Sequence, residues 1–255
     1  MAYGLVISNP AGELVVDSDT QALHYVGTAT FVAVIGAITT GSPQQRGLQR
    51  YSITLPSSTL TPFVTVKPAT DRAVSIQKVA RSAGGSATWY IDCFGVDTTG
   101  SLTTSSFGSS PAIEVKVFTQ ITTANSGYGL VLSDASGVPR WDFSKKPAML
   151  MQYADFPVRT PRTTYVNGDA IAIAAGITTP MITGRAHGKD NVAQGGIGSH
   201  NDWEYMFSLD GSGNIIRMKV QTYFESGSPG DPPYSPQPDW ALPAQPVFVL
   251  DSSMY

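Results

Sequence analysis

The sequence predicts an all-β protein made of two tandem, duplicated antiparallel β-sandwich-like domains, with long loops in the second domain. Short segments alternate apolar with polar residues, and no window carries a sustained helical stripe. The 25 glycines and 18 prolines interrupt these segments at short intervals. Motifs of the first half also recur, in the same order, in the second half. Many short strands with regular turn signals favour a sandwich or a barrel.

The internal repeat consists of four anchors that keep their order along the chain. Residues of the first anchor are separated by 125 positions and those of the second by 118, as loop insertions would produce. We therefore predict a first domain over residues 1–124 and a second over residues 125–255. The anchors pair Tyr3–Phe31 with Tyr128–Phe156, Ile53–Thr65 with Ile171–Thr183, Trp89, Asp97 and Gly100 with Trp203, Asp210 and Gly213, and Pro111–Val117 with Pro243–Val249.

Turn-forming residues predict hairpins at matching places in the two halves. Asn9–Gly12 lies between two alternating segments, and Asp134–Gly137 lies between their counterparts. Asp97–Gly100 and Asp210–Asn214 follow two further apolar segments. Glycine supplies the positive φ angle that such tight turns require, and aspartate caps their amides.

An unbroken apolar run, Phe31–Ile35, departs from the alternating pattern. Such a run is typical of a strand that is buried on both faces. A second sheet or a neighbouring subunit would cover it.

Two segments of the second half are predicted to be long loops. Residues 185–202 are polar and rich in glycine, and residues 227–246 contain seven prolines. The proline-rich segment also carries Tyr234 and Trp240, and its composition favours a polyproline II conformation. Long loops on a β scaffold usually carry function.

Composition excludes several classes of function. Charged residues make up 14% of the chain against roughly 25% in an average protein, which favours subunit packing or simply a threonine-rich β surface. The net charge of −3 and the absence of a basic run argue against nucleic-acid binding. The longest apolar stretch, Phe31–Ile38, is too short to enter a membrane, and no secretory signal is visible, so we expect synthesis in a cytoplasm.

Catalytic and metal-binding motifs are absent from the sequence. His24, His187 and His200 stand in no zinc-binding frame, and the single cysteine, Cys93, is expected to be a small buried residue. We therefore predict no enzyme activity and no cofactor. A hydrolase acting on surface polysaccharide is a remote alternative, because paired acids converging from separate strands leave no sequence signature.

Three aspartates invite a choice between chemistry and turn formation. Asp210–Asn214 resembles part of a calcium loop but lacks the further acidic ligands, so a turn is the better interpretation. Asp17 and Asp142 occupy equivalent places in the two halves, which favours turn capping over two active sites.

Aromatic residues offer an alternative function. Trp89 and Trp203 occupy strand segments and are predicted to be core residues, whereas Tyr234 and Trp240 lie in a predicted loop. Exposed aromatic rings stack on sugars. We therefore name Tyr234, Trp240, His200 and Trp203 as candidate binding-loop residues for a host surface glycan.

The opening segment Tyr3–Ser18 resembles the start of small minor tail and tail-tip proteins of tailed bacteriophages, and Tyr128–Asp142 echoes it more weakly. Trp141 and Phe143 depart from the pattern in that echo. The resemblance implies a structural component of the virion tail, at the tail tip or fibre attachment region, which binds other tail proteins. We expect a homo-oligomer, as a trimer or a ring, since closed symmetry is the rule for such assemblies.

Overall fold

The computed structural model describes residues 6–8, 14–17, 22–35, 44–45, 48–55, 60–83, 87–98, 113–121, 129–158, 167–184, 189–194, 199–225 and 244–255. The regular structure of these residues is β-strand apart from a short 3₁₀ helix, Ser252–Met254, so the all-β prediction is confirmed. The first half contributes β1 (Val6–Ser8), β2 (Leu14–Asp17), β3 (Leu23–Thr28), β4 (Thr30–Ile35), β5 (Gln44–Gln45), β6 (Leu48–Thr54), β7 (Phe63–Val66), β8 (Arg72–Arg81), β9 (Thr88–Asp97) and β10 (Val115–Gln120). The second half contributes β11 (Val131–Ser133), β12 (Pro139–Asp142), β13 (Gln152–Phe156), β14 (Asn167–Ile171), β15 (Pro180–Thr183), β16 (Lys189–Gln194), β17 (Ser199–Leu209), β18 (Ile215–Glu225) and β19 (Gln245–Asp251).

Two large antiparallel sheets form the body of the molecule, as the sandwich prediction requires. The six-stranded sheet has the order β13-β19-β15-β7-β10-β3. The nine-stranded sheet has the order β14-β18-β17-β8-β9-β6-β4, with β16 added on β17 and β5 on β18. Strands β1 and β2 form the first hairpin, and β11 and β12 form the second hairpin.

Along the main path of each sheet, the strands of one half lie together and meet those of the other half at one junction. In the six-stranded sheet β15 pairs with β7 through Ile182 and Val66, and in the nine-stranded sheet β17 pairs with β8 through Phe207 and Val74. Each half would otherwise present a strand edge with unpaired backbone groups, and joining the edges pairs part of them. The division of the chain at residues 124 and 125 stays a prediction.

Strand register in the two hairpins follows the first sequence anchor. Val6 pairs with Asp17 in the first hairpin, and Val131 pairs with Asp142 in the second. In each hairpin the register shifts just before the last pair. The shift lies between Ile7 and Ser8 in the first hairpin and between Leu132 and Ser133 in the second. These pairs are related by the same separation of 125 residues that the sequences share.

Register in the six-stranded sheet follows the first, second and fourth anchors. Val117 pairs with Gly27 on one side and Val64 on the other. Its counterpart Val249 pairs with Gln152 and Ile182. The strand order of this sheet is accordingly symmetric about the β15–β7 junction. The duplication itself stays a prediction, which this agreement supports.

The third anchor does not agree with the topology. Trp89 lies on β9, which pairs with β8 and β6, whereas Trp203 lies on β17, which pairs with β8, β16 and β18. Strand β9 lies between β8 and β6. Its counterpart in the second half is β18, which lies between β17 and β14. The two tryptophans of the third anchor therefore lie on strands that hold different positions in the sheet.

The main core lies between the sheets. Alternate side chains of the six-stranded sheet point inward and meet those of the nine-stranded sheet, as the period of two requires. Core residues from the first sheet are Val64, Val66, Val115, Val117, Phe156, Ile182, Val247 and Val249, and those from the second include Tyr51, Val74, Trp89, Ile91, Cys93, Tyr205 and Phe207. A smaller cluster on the other face of the nine-stranded sheet contains Ala73, Phe94, Val96, Met206, Met218 and Val220. The predicted burial of Trp89 and Cys93 is confirmed.

The predicted loop at 185–202 is wrong in part. It contains β16 and the first residues of β17, which pair with each other from Lys189 and Glu204 to Gln194 and Ser199. The glycines that suggested a loop, at positions 195, 196 and 198, fall between these strands and outside the described residues. Most of the predicted loop at 227–246 also lies outside them, but Gln245 and Pro246 belong to β19.

Candidate interaction surfaces

Strand β4 forms one edge of the path through the nine-stranded sheet and carries exposed apolar side chains. It pairs with β6 on one side. Phe31, Val32 and Val34 are 44%, 49% and 37% exposed. The prediction that this run is buried on both faces is therefore wrong for the single chain, because an apolar run on a sheet edge looks the same in sequence as one in a core.

The β4 edge lacks the charges that usually protect edge strands. Natural edges carry lysine, proline or a bulge that discourages pairing with another chain. A register shift lies between Phe31 and Ala33, but no charged residue occurs between Asp19 and Arg46 in the sequence. The segment 30–35 is thus apolar, exposed and uncharged.

Phe31 is held in place by the core beneath it. Its ring meets the edge of the Tyr51 ring at 5.7 Å between centroids and an angle of 74°. The buried Tyr51 hydroxyl accepts a hydrogen bond from the Ile113 N–H at 2.8 Å and donates one to Gln49 Oε1. Burial raises the pKa of Tyr51, so the hydroxyl stays a donor. The exposed Phe31 ring therefore packs on a buried residue that is itself fixed by two hydrogen bonds.

A second apolar surface lies on the outer face of the six-stranded sheet. A pocket of about 270 Å³ opens there between β3, β7, β19 and the segment before β13. Its lining consists of Leu23, Phe63, Ala148, Leu150, Phe248 and Leu250. Met149 and Met151, the sequence neighbours of Leu150, are exposed, and the exposed Tyr153 ring contacts the Phe248 ring at 5.3 Å between centroids. A pocket with this lining suits an apolar side chain and presents no acid or base for catalysis.

Among the described residues, no structural element brings the four candidate binding-loop residues together. Tyr234 and Trp240 lie outside the described residues. His200 and Trp203 belong to strand β17. The loop position predicted for His200 is therefore wrong, whereas the strand position predicted for Trp203 is confirmed, and the binding role of both residues stays a prediction. His200 pairs with Ala193 and Glu225, and Trp203 pairs with Asp190 and Gln221.

The aspartates at the predicted turns act as caps, as the sequence indicated. Oδ1 of Asp210 accepts hydrogen bonds from the N–H groups of Ser212 and Asn214, and Gly213 has a φ angle of +83°. Hydrogen bonds from Asn214 and from the turn amides lower the pKa of Asp210. A carboxylate occupied in this way supports the turn interpretation over calcium binding.

The second hairpin turn is capped in the same way. Oδ1 of Asp134 accepts hydrogen bonds from Ser136 and Val138, and Oδ2 accepts two from the Arg140 guanidinium. Hydrogen bonds from Ser136 hold the pKa of Asp134 at about 2. Asp142 caps the following turn by accepting from the Ser144 N–H at 3.0 Å. The capping role predicted for Asp142 is confirmed, and the Asp17 side chain lies outside the described residues.

Buried charges, which sequence reasoning missed, serve the core. Arg217 on β18 is fully buried and forms an ion pair with Asp169 on β14 at 2.7 Å. Its guanidinium also donates to Gln245 and to the Pro157 carbonyl, and it lies over the Phe156 ring. A buried arginine needs such partners to offset the loss of hydration. This network joins strands of both sheets.

Among the described residues, no three histidine, cysteine, aspartate or glutamate side chains cluster as a metal site would require. The described part of the chain has no long apolar α-helix of the kind that spans a bilayer. No known family model, curated protein or solved structure matches this chain.

Proposed function

We propose that this protein is a non-enzymatic structural subunit of a larger protein assembly. The observation that carries the proposal is the β4 edge, where an uncharged strand leaves Phe31, Val32 and Val34 exposed. Apolar surfaces of this kind on soluble proteins mark interaction sites. The low fraction of charged residues, 14%, fits the same role because charges are depleted at interface cores.

The geometry of β4 favours the addition of a strand from a neighbouring chain. An incoming strand would hydrogen-bond to the edge of β4 with which no described strand pairs, and this main-chain pairing supplies affinity. The three exposed side chains then supply apolar burial, and the fixed Phe31 ring reduces the entropy that binding must remove. Such an interface needs no preformed cavity and no catalytic group.

We further propose that the assembly is a bacteriophage tail. Support comes from the resemblance of Tyr3–Ser18 to minor tail and tail-tip proteins, and from the second hairpin, which repeats the register of the first. In this role the chain assembles as a trimer or a ring and contacts other tail proteins. Its place is the tip or the fibre attachment region of the virion.

The assembly role is tested by measuring molar mass in solution. Light scattering after size-exclusion chromatography is expected to show an oligomer for the natural chain. Val32→Lys and Val34→Lys place a charge on the edge and are expected to yield monomers that remain folded. Val138→Lys is the matched control, since Val138 is also 37% exposed but lies in the second hairpin, so it should leave the molar mass unchanged.

A monomer at high concentration that also binds no tail protein would overturn the assembly role. Localisation is tested separately, by labelling the protein in intact phage particles. Label at the tail tip supports the tail assignment, and label absent from purified virions contradicts it while leaving the assembly result unaffected.

A further inference from the structure

The second hairpin is docked on strand β3 of the other half. The Ala22 N–H donates to the Arg140 carbonyl at 3.0 Å, and the Tyr25 N–H donates to the Lys146 carbonyl at 2.8 Å. The Ala148 N–H returns a hydrogen bond to the Leu23 carbonyl. β3 is the last strand of the six-stranded sheet, so these bonds cover part of an edge that would otherwise be open.

One side chain, His24, takes part in this docking. His24 is fully buried on β3, and its Nε2 accepts a hydrogen bond from the Asp142 N–H at 3.2 Å. The Trp141 ring meets the imidazole edge to face at 6.3 Å between centroids. The contact joins residues 118 positions apart in sequence and lies between the Arg140 and Lys146 backbone contacts.

The contact requires a neutral imidazole. An Nε2 atom that accepts a hydrogen bond must be unprotonated, which leaves the proton on Nδ1. Nδ1 is buried, and its contact with the Ala22 backbone is not a hydrogen bond of good geometry. A second proton would turn Nε2 from an acceptor of the Asp142 N–H into a donor facing a donor, and would place a positive charge on a ring that is removed from water.

Two charged side chains in the segment that docks on β3, Asp142 and Lys145, affect the protonation of His24. The Asp142 carboxylate favours protonation, and the Lys145 ammonium opposes it. Asp142 is already engaged, since its carboxylate accepts from the N–H and hydroxyl of Ser144 and lies 3.9 Å from Lys145 Nζ. Desolvation by burial is the largest effect and lowers the pKa of His24 from its ordinary 6.5, with the Ala22 backbone opposing it.

We propose that His24 is a pH-sensitive latch, which holds the second hairpin on β3 when neutral and releases it when protonated. Release would free the outer backbone edge of β3, where Ala22 and Tyr25 now donate to the hairpin segment. Acid would thereby uncover a second strand edge for pairing. The latch does not depend on the proposed assembly role, because it concerns a contact within one chain.

The direction of the pH effect follows from proton linkage. A histidine whose folded-state pKa lies below 6.5 binds fewer protons when docked than when released. Docking is therefore fully favoured above pH 6.5 and weakens as the pH falls below that value. Each unit by which the pKa is lowered can change the docking equilibrium up to about tenfold.

The test is hydrogen–deuterium exchange, read as protection relative to the intrinsic rate, on peptides covering residues 139–148. In the natural chain, protection is expected to fall by about tenfold between about pH 7.5 and about pH 5. Peptides from the core strand β9 serve as the internal reference and should stay protected. The tryptophan fluorescence change on acidification is expected to depend on Trp141 and to vanish in Trp141→Phe.

Three variants separate the latch from general acid sensitivity. His24→Gln keeps an acceptor oxygen at the position of Nε2 but does not titrate, so protection should become independent of pH. His24→Phe keeps the ring but removes the acceptor, so residues 139–148 should exchange rapidly even at neutral pH. His200→Asn is the control histidine variant and should behave as the natural chain does.

Three results would overturn the latch. They are equal protection of residues 139–148 at both pH values in the natural chain, the same loss of protection in His24→Gln, and parallel loss in β9 that shows global unfolding. If His24→Phe fails to fold, the comparison of the natural chain with His24→Gln still decides the question.

Discussion

Ile182 of β15 pairs with Val66 of β7 at the centre of the six-stranded sheet, where the two halves of the chain meet. Phe207 and Val74 form the corresponding link in the nine-stranded sheet. All four side chains are fully buried and belong to one core. The molecule is therefore expected to fold as one cooperative unit and not as two independent domains.

Separating the halves tests this directly. Residues 1–124 and residues 125–255, expressed alone, are each expected to lack a cooperative thermal transition, because each would expose its buried side chains at the two junctions and one strand edge in each sheet. Circular dichroism during heating measures this, with the full chain as control. Two sharp transitions from the isolated halves would show that each is a domain in its own right.

Removing the buried arginine is expected to be strongly destabilising. Arg217→Met leaves Asp169 as a buried charge without its ion-pair partner, which costs about 3–5 kcal/mol of unfolding free energy. Arg140→Met removes a partly exposed ion pair with Asp134 and is expected to cost about 1 kcal/mol or less. Urea unfolding compares the two variants, and similar losses would contradict the structural role assigned to Arg217.

Acid should weaken the attachment of the final 3₁₀ helix. Burial acts to raise the pKa of Asp251, but hydrogen bonds from Thr178 and Ser253 outweigh it and hold the pKa at about 2, below the ordinary 3.8. A lowered carboxyl pKa contributes stability that is present above pH 3.8 and is lost as the pH falls toward about 2.

Asp251→Asn should remove this dependence. The variant is expected to lose about 2 kcal/mol at neutral pH, because an amide replaces the charged acceptor. Urea unfolding at a series of acidic pH values should then show a shallower decline between pH 3.8 and about 2 than the natural chain. An unchanged slope over that interval would count against the capping role of Asp251.

One glycine is required at the junction between the sheets. Gly184 has a φ angle of +151°, and a Cβ atom there would lie 3.1 Å from Cε2 of the buried Phe207 ring. Gly184→Ala is expected to cost about 1–3 kcal/mol through strain and overpacking. Gly211→Ala is the control, since a Cβ there meets nothing within 4 Å, and a loss as large as that of Gly184→Ala would refute the steric explanation.

Local features of this fold could be predicted from the sequence because they depend on neighbouring residues. The turns at Asp134–Gly137 and Asp210–Asn214 carry their own capping carboxylates and positive-φ glycines, and both hairpins form. Strands β16 and β17 are harder to predict because the glycines between them indicate a loop, whereas the pairing depends on the residues on either side of those glycines.

Long-range relationships left little trace in the sequence. The Ile182–Val66 pair that joins the halves has no local signature, since any apolar strand can occupy an edge. The exposure of Phe31 could not be separated from burial because an apolar run fits either place. His24 stood in no motif, and its role arises only when the fold brings Asp142 against it.

The most direct test of the assembly role is backbone exchange in β4 as a function of protein concentration. Hydrogen–deuterium exchange of residues 30–35 is expected to slow by about tenfold or more as the chain assembles, because a neighbouring strand would then protect the edge amides. β9 serves as the reference that should not change. Exchange in β4 that is fast and identical from dilute to concentrated protein would contradict the claim that this edge is where the protein joins its neighbours.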